Sequence, residues 1–445
     1  MKIRKLGSAT IILENCDVKI ICDPWLKDGI YYGSWCNYPP IPIEHYNLSD
    51  IDYIYVSHIH PDHFDPETFK YLNKNIPVII HKYHKKFLRM AIERLGFDVI
   101  ELENGQSRNL GGSTSISIFA ADDCDPSICG RMFGCINSEI KGSMQLDSLC
   151  VIDDGKHVIV NTNDCPHGIA KNTLKRVKSL YHKIDFALVG YTSASLYPHC
   201  MIDYDDTQIL HGIEKSKKIG LNSGLSILKD LAPNFYMPFA GTYIIGGKYA
   251  HKNKNLPLPE IQDAVSYFQQ YLDDTSLNVN PVLLNLGEYF DLNTKTASKQ
   301  YTPIDPKERE QYIENVASQF PYVFETDPVP EISELCDLFE KALMRLTEKQ
   351  REISFIEDTN LVFDLSDGTF ACLNTAKSDF KVISKVNELD NYHRFQLDPR
   401  LLKLVLLGPK FANWNNIEIG GMLNFSRKPD IYRMDIHTLI NSLHV

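Results

Sequence analysis

The chain has 445 residues, of which 43% are hydrophobic and 23% charged. That is enough for two or three domains with at least one large buried core, and it excludes intrinsic disorder as the main state. The formal charge of −11 at pH 7 argues against a protein that binds nucleic acid through bulk electrostatics, although it leaves room for a local basic groove. Eleven cysteines occur in no repeated spacing, which reads as reduced, mostly buried thiols of a cytoplasmic protein rather than a disulfide framework. In the N-terminal segment, Glu14, Asn15, Asp17 and Lys19 interrupt the apolar residues, so no cleaved signal peptide is expected. The best apolar run, at 401–408, is far too short to span a bilayer, so no membrane partner is expected.

Short apolar runs rich in Ile and Val predict strands at Ala9-Leu13, Val18-Cys22 and Tyr53-Ser57, since such runs suit a buried sheet better than a helix. Helices follow at Pro66-Asn73 and His84-Leu95, between strands at Val78-His81 and Val99-Leu102. Further strands are expected at Ser115-Phe119, Ser148-Ile152, His157-Asn161, Phe186-Val189 and Asn234-Pro238, with helices at Ile169-Leu180 and Asp205-Leu231. Alternating strands and helices predict an α/β layered fold. A last strand pair is expected at Val282-Leu286 and Glu288-Leu292, before a charged stretch with five prolines at 300–330. Beyond it, Ile332, Leu335, Phe339, Ala342, Leu343 and Leu346 mark one face of an amphipathic helix of about twenty residues. Strands at Asn360-Leu365, Thr369-Leu373 and Phe380-Ser384 follow, with a helix after Asp398. The expected division is a catalytic domain over 1–295, a linker over 296–330 and a smaller C-terminal α+β accessory domain over 331–445.

One constellation dominates: His58, His60, Asp62 and His63 lie within six residues, directly after the strand ending at Ser57. Imidazole nitrogens and a carboxylate at that density suit a divalent metal. His58 and His60 can share one ion with a third ligand from elsewhere, while Asp62 and His63 serve a neighbouring ion. Paired ions can clamp a substrate oxygen and lower the pKa of water, or activate oxygen if they are redox-active.

The pattern His58-x-His60-x-Asp62-His63 after a strand resembles the signature of the metallo-β-lactamase superfamily, and Asp23-Pro24-Trp25-Leu26 resembles a strand-end segment of one of its branches. The resemblance implies a four-layer αββα sandwich over roughly residues 1–295, with metals at one edge of the two sheets. Segments at 161–165, 194–198, 237–241 and 414–432 are similar, in the same order, to the CMP-N-acetylneuraminate hydroxylase family. The superfamily pattern places Asp164 as a metal ligand, with Cys165 as a buried neighbour.

Two departures qualify the likeness. The hydroxylase family carries a Rieske iron–sulfur domain, which needs paired Cys-x-His and Cys-x-x-His ligands; no such pair occurs here, so an oxygenase would need an external reductase. The superfamily also supplies a further histidine before the bridging aspartate, whereas no histidine occurs between 85 and 156. The acidic run at 122–126, with Asp123 and Asp125, is the expected replacement, and it would tilt the metal from zinc toward iron or manganese. A solvated acidic turn is an equal reading of that run. His199, His251 and His167 are the candidates for a late ligand. Ser195, Tyr197 and His199 are expected to line the substrate pocket, with Lys248 as a phosphate counter-charge.

The expectation is therefore an enzyme holding one or two zinc, iron or manganese ions. The leading reaction is hydrolysis of a phosphorylated or nucleotide-activated small molecule such as a sugar, with Asp62 orienting or deprotonating water. Alternatives are an iron-dependent oxygenase and a non-catalytic binding protein with a degenerate metal site. The expected partner is a small molecule, with no nucleic acid.

Overall fold

A computed structural model of the chain describes residues 1–121, 147–192, 194–273 and 277–445. The expected αββα sandwich is present. Its first sheet runs in the order Thr296–Ala297, Tyr289–Asp291, Lys2–Lys5, Ile11–Glu14, Lys19–Cys22, Tyr53–Tyr55, Val78–His81 and Val99–Leu102. The second runs Asn280–Pro281, Phe235–Phe239, Phe186–Gly190, Val158–Asn161, Ser148–Asp153, Thr114–Ala120 and Gln106–Gly111.

The near-continuous apolar strands follow from burial on both faces. Successive side chains on a strand point to opposite sides. Ile11, Leu13, Ile20 and Cys22 pack between the sheets, against Ile118, Cys150, Ile159 and Leu188 of the second. Their neighbours Ile12 and Ile21 pack outward on Phe69, Leu88 and Ile92, from the helices Pro66–Phe69 and Phe87–Arg94. On the far side, Val151, Val160, Ala187 and Val189 meet Leu174, Val177, Leu225 and Phe268. Those residues come from the helices His167–Leu180, Asp206–Leu231 and Ile261–Leu272.

The expected strand at Val282-Leu286 is not one. Only Asn280–Pro281 pairs with the second sheet, and the chain then crosses to the first, where Tyr289–Asp291 pairs with Lys2–Lys5. Val282 and Leu284 are apolar because the crossing is buried between the sheets, not because they join a ladder. The helix expected over Pro66-Asn73 stops at Phe69. Within the stretch read as a linker, Pro306–Asn315 forms a helix capped by Asp305, and Tyr322 and Phe324 are buried.

The C-terminal part is a five-stranded sheet in the order Asp379–Ile383, Phe370–Asn374, Asn360–Asp364, Tyr392–Leu397 and Leu423–Lys428. It is covered by the helices Ile332–Glu352 and Pro399–Leu407 around Phe339, Phe363, Phe395, Trp414 and Phe425. Leu196, Cys200 and Met201 of the preceding unit join the same core. Phe425 N donates to the Cys200 carbonyl (2.7 Å), and the buried Lys252 ammonium donates to the Gly421 (2.9 Å) and Leu423 (2.6 Å) carbonyls. The described cysteines are free thiols. Among the described residues, no helix is long and apolar enough to cross a membrane.

Candidate metal centre

The strands Lys19–Cys22 and Tyr53–Tyr55 are parallel, so their C-terminal ends bring Asp23 and the Ser57–His63 loop to one edge. In the second sheet, Cys150 stands opposite Asn161 in an antiparallel pair. Continued three residues outward, that register sets Asp147 level with Asp164, at the start of one strand and beyond the end of the other. Hydrogen bonds tie the two sheets together beneath the site. Ser148 Oγ donates to the Ser57 carbonyl (2.8 Å), as does the Tyr83 hydroxyl, and Asn163 Nδ2 donates to the Ser148 carbonyl (3.0 Å) and to Tyr55 Oη (3.3 Å).

Two donor groups meet at His58: His58, His63 and Asp164, and His58, His60 and Asp147, with the ligand atoms of each within 4.8 Å of one another. His58 Nε2 is 2.9 Å from His60 Nδ1 and 3.6 Å from Asp147 Oδ1. His63 Nε2 is 3.2 Å from Asp164 Oδ2 and 3.5 Å from Asp62 Oδ2. Donors about 2.1 Å from one ion stand ~3.0 Å apart in an octahedron and ~3.4 Å apart in a tetrahedron. The observed spacings match a shared ion. His63 Nε2 is buried and faces the two carboxylates of Asp164 and Asp62 rather than a neutral acceptor, the position in which an ion would stand in for a proton.

The electrostatics agree. Burial, reinforced by His63 and His60, pushes His58 well below the usual imidazole range, leaving it a neutral ligand. Burial opposes charge on His63, but Asp164, Asp62 and Asp23 outweigh it and raise its pKa well above the usual range. Burial likewise opposes ionisation of Asp62, yet His63, His60 and the Tyr31 hydroxyl bring its pKa down to about 2. The acidic side chains thus gather positive charge at this edge.

Three residues hold the ligands from behind. Asp23, fully buried, accepts bonds from Ser57 N (2.7 Å) and Ser57 Oγ (2.9 Å), and its Oδ2 lies 3.0 Å from His63 Nδ1. Tyr31 donates to Asp62 Oδ1 (2.6 Å) from a loop in which Tyr31 and Tyr32 have φ of 51° and 61°, strained values for aromatic residues. Asn415, on the helix Trp414–Ile419, places Nδ2 3.0 Å from His60 Nε2. The oxygen and nitrogen of an amide are interchangeable by rotation, so its oxygen can accept from Nε2–H when Nδ1 faces an ion.

Of the predicted site residues, His58, His60, Asp62, His63 and Asp164 come together, whereas Asp123 and Asp125 lie outside the described residues. The others are placed elsewhere. Ser195 Oγ serves its own turn at Tyr197 (3.2–3.3 Å), and Tyr197 packs against Tyr204. His199 is buried with neither ring nitrogen hydrogen-bonded, its pKa lowered to about 3 by burial and by Lys252. His167 bonds Asp230 (2.9 Å), and His251 faces the Lys248 carbonyl (3.1 Å). Lys248 is ion-paired with Asp398 and lies 3.7 Å from Glu325, so it is not a free counter-charge for phosphate.

Sequence reasoning missed Asp147, Asp23, Tyr31 and Asn415. Asp147 had a usable signal in its position directly before a predicted strand. Asp23 stood within the Asp23-Pro24-Trp25-Leu26 segment, but its partner His63 is 40 residues away.

Residues 2–122 match the profile of the Beta-lactamase superfamily domain. A putative Rieske 2Fe-2S iron-sulfur protein of Mycolicibacterium smegmatis is 29% identical over 201 residues, covering 44% of this chain and 35% of that one. The cytidine monophosphate-N-acetylneuraminic acid hydroxylase of Danio rerio is 25% identical over 245 residues, covering 53% and 37%. The chain therefore spans little more than a third of the length of these relatives. Among solved structures, an isothiocyanate hydrolase from Delia radicum gut bacteria aligns with a TM-score of 0.43 at 15% identity, over 65% of this chain and 99% of that one.

Proposed function

We propose that this chain, which has the metallo-β-lactamase fold and counts CMP-N-acetylneuraminic acid hydroxylases among its relatives, is a metal-dependent oxygenase acting on a small molecule. The meeting of two donor groups at His58 carries the metal dependence. His58, His60 and Asp147 would hold one ion, and His63 and Asp164, with Asp62 beside them, the other. Asp147 supplies a carboxylate where a third imidazole would make a softer site, and hard oxygen donors favour iron or manganese over zinc. That donor set and the hydroxylase relatives support oxygenation ahead of hydrolysis.

When bound, such ions supply dioxygen chemistry, or a water of lowered pKa if they are redox-inert. The chain's own residues supply the rest. Asp23, Tyr31 and Asn415 hold His63, Asp62 and His60 in orientation, and outer partners of this kind set ligand basicity as well as direction. Tyr31, Trp35 and Tyr243 form an aromatic wall beside the ligands, with ring centroids 4.7 Å and 3.4 Å apart, which excludes water from that side. Hydroxylation, R–H + O2 + 2e− + 2H+ → R–OH + H2O, consumes two electrons. These residues carry no paired Rieske ligand motifs, so the electrons would come from a redox centre outside them, a separate reductase being one source.

Hydrolysis of a phosphorylated or nucleotide-activated small molecule is the second reading, favoured by Asp62. Its carboxylate is held ionised beside the ligands and could orient a water. Residues 1–295, extended by the edge strand Thr296–Ala297, would form the catalytic unit and 331–445 an accessory unit that contributes Asn415, with the partly helical, packed stretch 298–330 between them. The free thiols suit a cytoplasmic setting. Elemental analysis of the purified protein, followed by oxygen uptake with a chemical reductant, tests the reading. Stoichiometric iron and reductant-dependent oxygen consumption are expected. Zinc with oxygen-independent turnover would establish the hydrolase, and absence of stoichiometric metal the binding protein.

A further inference from the structure

A cavity of about 520 Å3 opens at the same edge of the sandwich, lined by Lys5, Lys217, Arg309, Glu260, Tyr46 and Tyr243 among others. Its charge runs against that of the chain. The protein carries 57 acidic and 46 basic side chains, yet the charged residues lining this cavity are three cations and one carboxylate. Glu260 is already neutralised by Arg309, at 2.5 Å. Among the described residues, the ammonium groups of Lys5 and Lys217 make no hydrogen bond or ion pair. Lys5 is half-buried, and the desolvation lowers its pKa to about 8 against the pull of Glu288. A half-buried cation with no direct ion pair is incompletely compensated, and an anion entering the cavity would offset that cost.

The volume lies within the ~300–1,000 Å3 of small-molecule sites, with room for an organic body beside the charge. Tyrosine rings line part of the wall. Tyr243 stacks on Trp35, and Tyr31, which also packs on Trp35, bonds Asp62 beside the candidate metal ligands. Tyr243, which lines the cavity, thus belongs to the same aromatic cluster as Tyr31 at the candidate metal centre.

We propose that this cavity binds an organic anion, a small molecule bearing a phosphate or carboxylate that pairs with Lys5 and Lys217, while its body lies against the tyrosine rings. The anion site replaces Lys248, whose charge is spent on Asp398. The proposal rests on the proposed function only in taking the bound molecule to be the substrate.

Isothermal titration of the full chain, metal-loaded and metal-stripped, with phenyl phosphate, benzoate and inorganic phosphate tests it. The expected result is saturable binding of phenyl phosphate or benzoate, one per chain, weakened by salt and tighter than inorganic phosphate. The preferred of the two identifies the anion. Lys5→Gln and Lys217→Gln should each weaken binding roughly tenfold, the loss expected for one charge-assisted hydrogen bond. Lys70→Gln, on the exposed Lys70–Glu67 pair, should leave it unchanged. Should Lys5→Gln fail to fold, Lys217→Gln, partly exposed on its helix, serves alone. No saturable binding of any probe, or unchanged binding in a folded Lys217→Gln protein, overturns the proposal. Metal uptake without anion binding would sink this inference and spare the metal centre. Anion binding without metal uptake would do the reverse.

Discussion

Replacing Asp23 by asparagine keeps the side chain's size and removes its charge. Oδ1 accepts from Ser57 N at 2.7 Å, while Oδ2 faces Ser57 Oγ at 2.9 Å and His63 Nδ1 at 3.0 Å. An asparagine that keeps its oxygen on Ser57 N turns its NH2 toward His63 Nδ1. With His63 held through Nε2, Nδ1 carries a proton, so two donors would face each other and the ring would lose its anchor. Loss of such an outer carboxylate weakens metal binding by roughly 10–100-fold, equal to about 1.4–2.7 kcal/mol. Folding should suffer less. Burial already raises the Asp23 pKa against the pull of His63 and Ser57, so removing the charge recovers desolvation energy that partly offsets the lost bonds, and the expected cost is under ~2 kcal/mol. Chelator competition on the loaded protein gives the affinity, and thermal unfolding of the stripped protein gives the stability. An Asp23→Asn affinity within about twofold of wild type would refute the outer-ligand role.

Asp147→His should soften the donor set and raise the zinc-to-iron ratio of protein expressed with both metals, read by elemental analysis; an unchanged ratio would remove Asp147 from the coordination sphere. Asn415→Leu should weaken metal binding roughly tenfold by leaving His60 Nε2 without a partner. Asn415→Asp, which still accepts from Nε2–H, should stay near wild type, and equal loss in both variants would mean that the helix rather than the hydrogen bond matters. Asp398 is 6% exposed, and although burial opposes it, Arg400 and Lys248 bring its pKa from 3.8 to about 2. A folded-state pKa below the unfolded value stabilises fully above about pH 4, and that contribution is lost as pH falls toward 2; it amounts to roughly 2 kcal/mol. Asp398→Asn should therefore be less stable at neutral pH and lose less on acidification across that window. Parallel acid-unfolding curves for the two proteins, followed by circular dichroism, would contradict the linkage.

Local chemistry made much of this legible. The strands Val78–His81 and Val99–Leu102 occur at the expected residues because short Ile- and Val-rich runs between turn residues have few other ways to be buried. His58, His60, Asp62 and His63 were readable because one loop carries all four. Val282 and Leu284 misled because hydrophobicity reports burial, whatever structure provides it. Lys248 misled for a related reason: a lysine beside glycines looks free until the partner 150 residues away is seen.

By itself the sequence determined the layered α/β fold and the loop that carries most of the candidate metal ligands, since both depend on residues close along the chain. Only the tertiary structure decided which carboxylates stand beside that loop and what holds its side chains. Asp147 reaches His58 across the gap between the two sheets, Asp23 reaches His63 through parallel pairing, and Asn415 reaches His60 across 355 residues. Such pairings are set by how sheets and units pack against one another, and no periodicity along the chain records them.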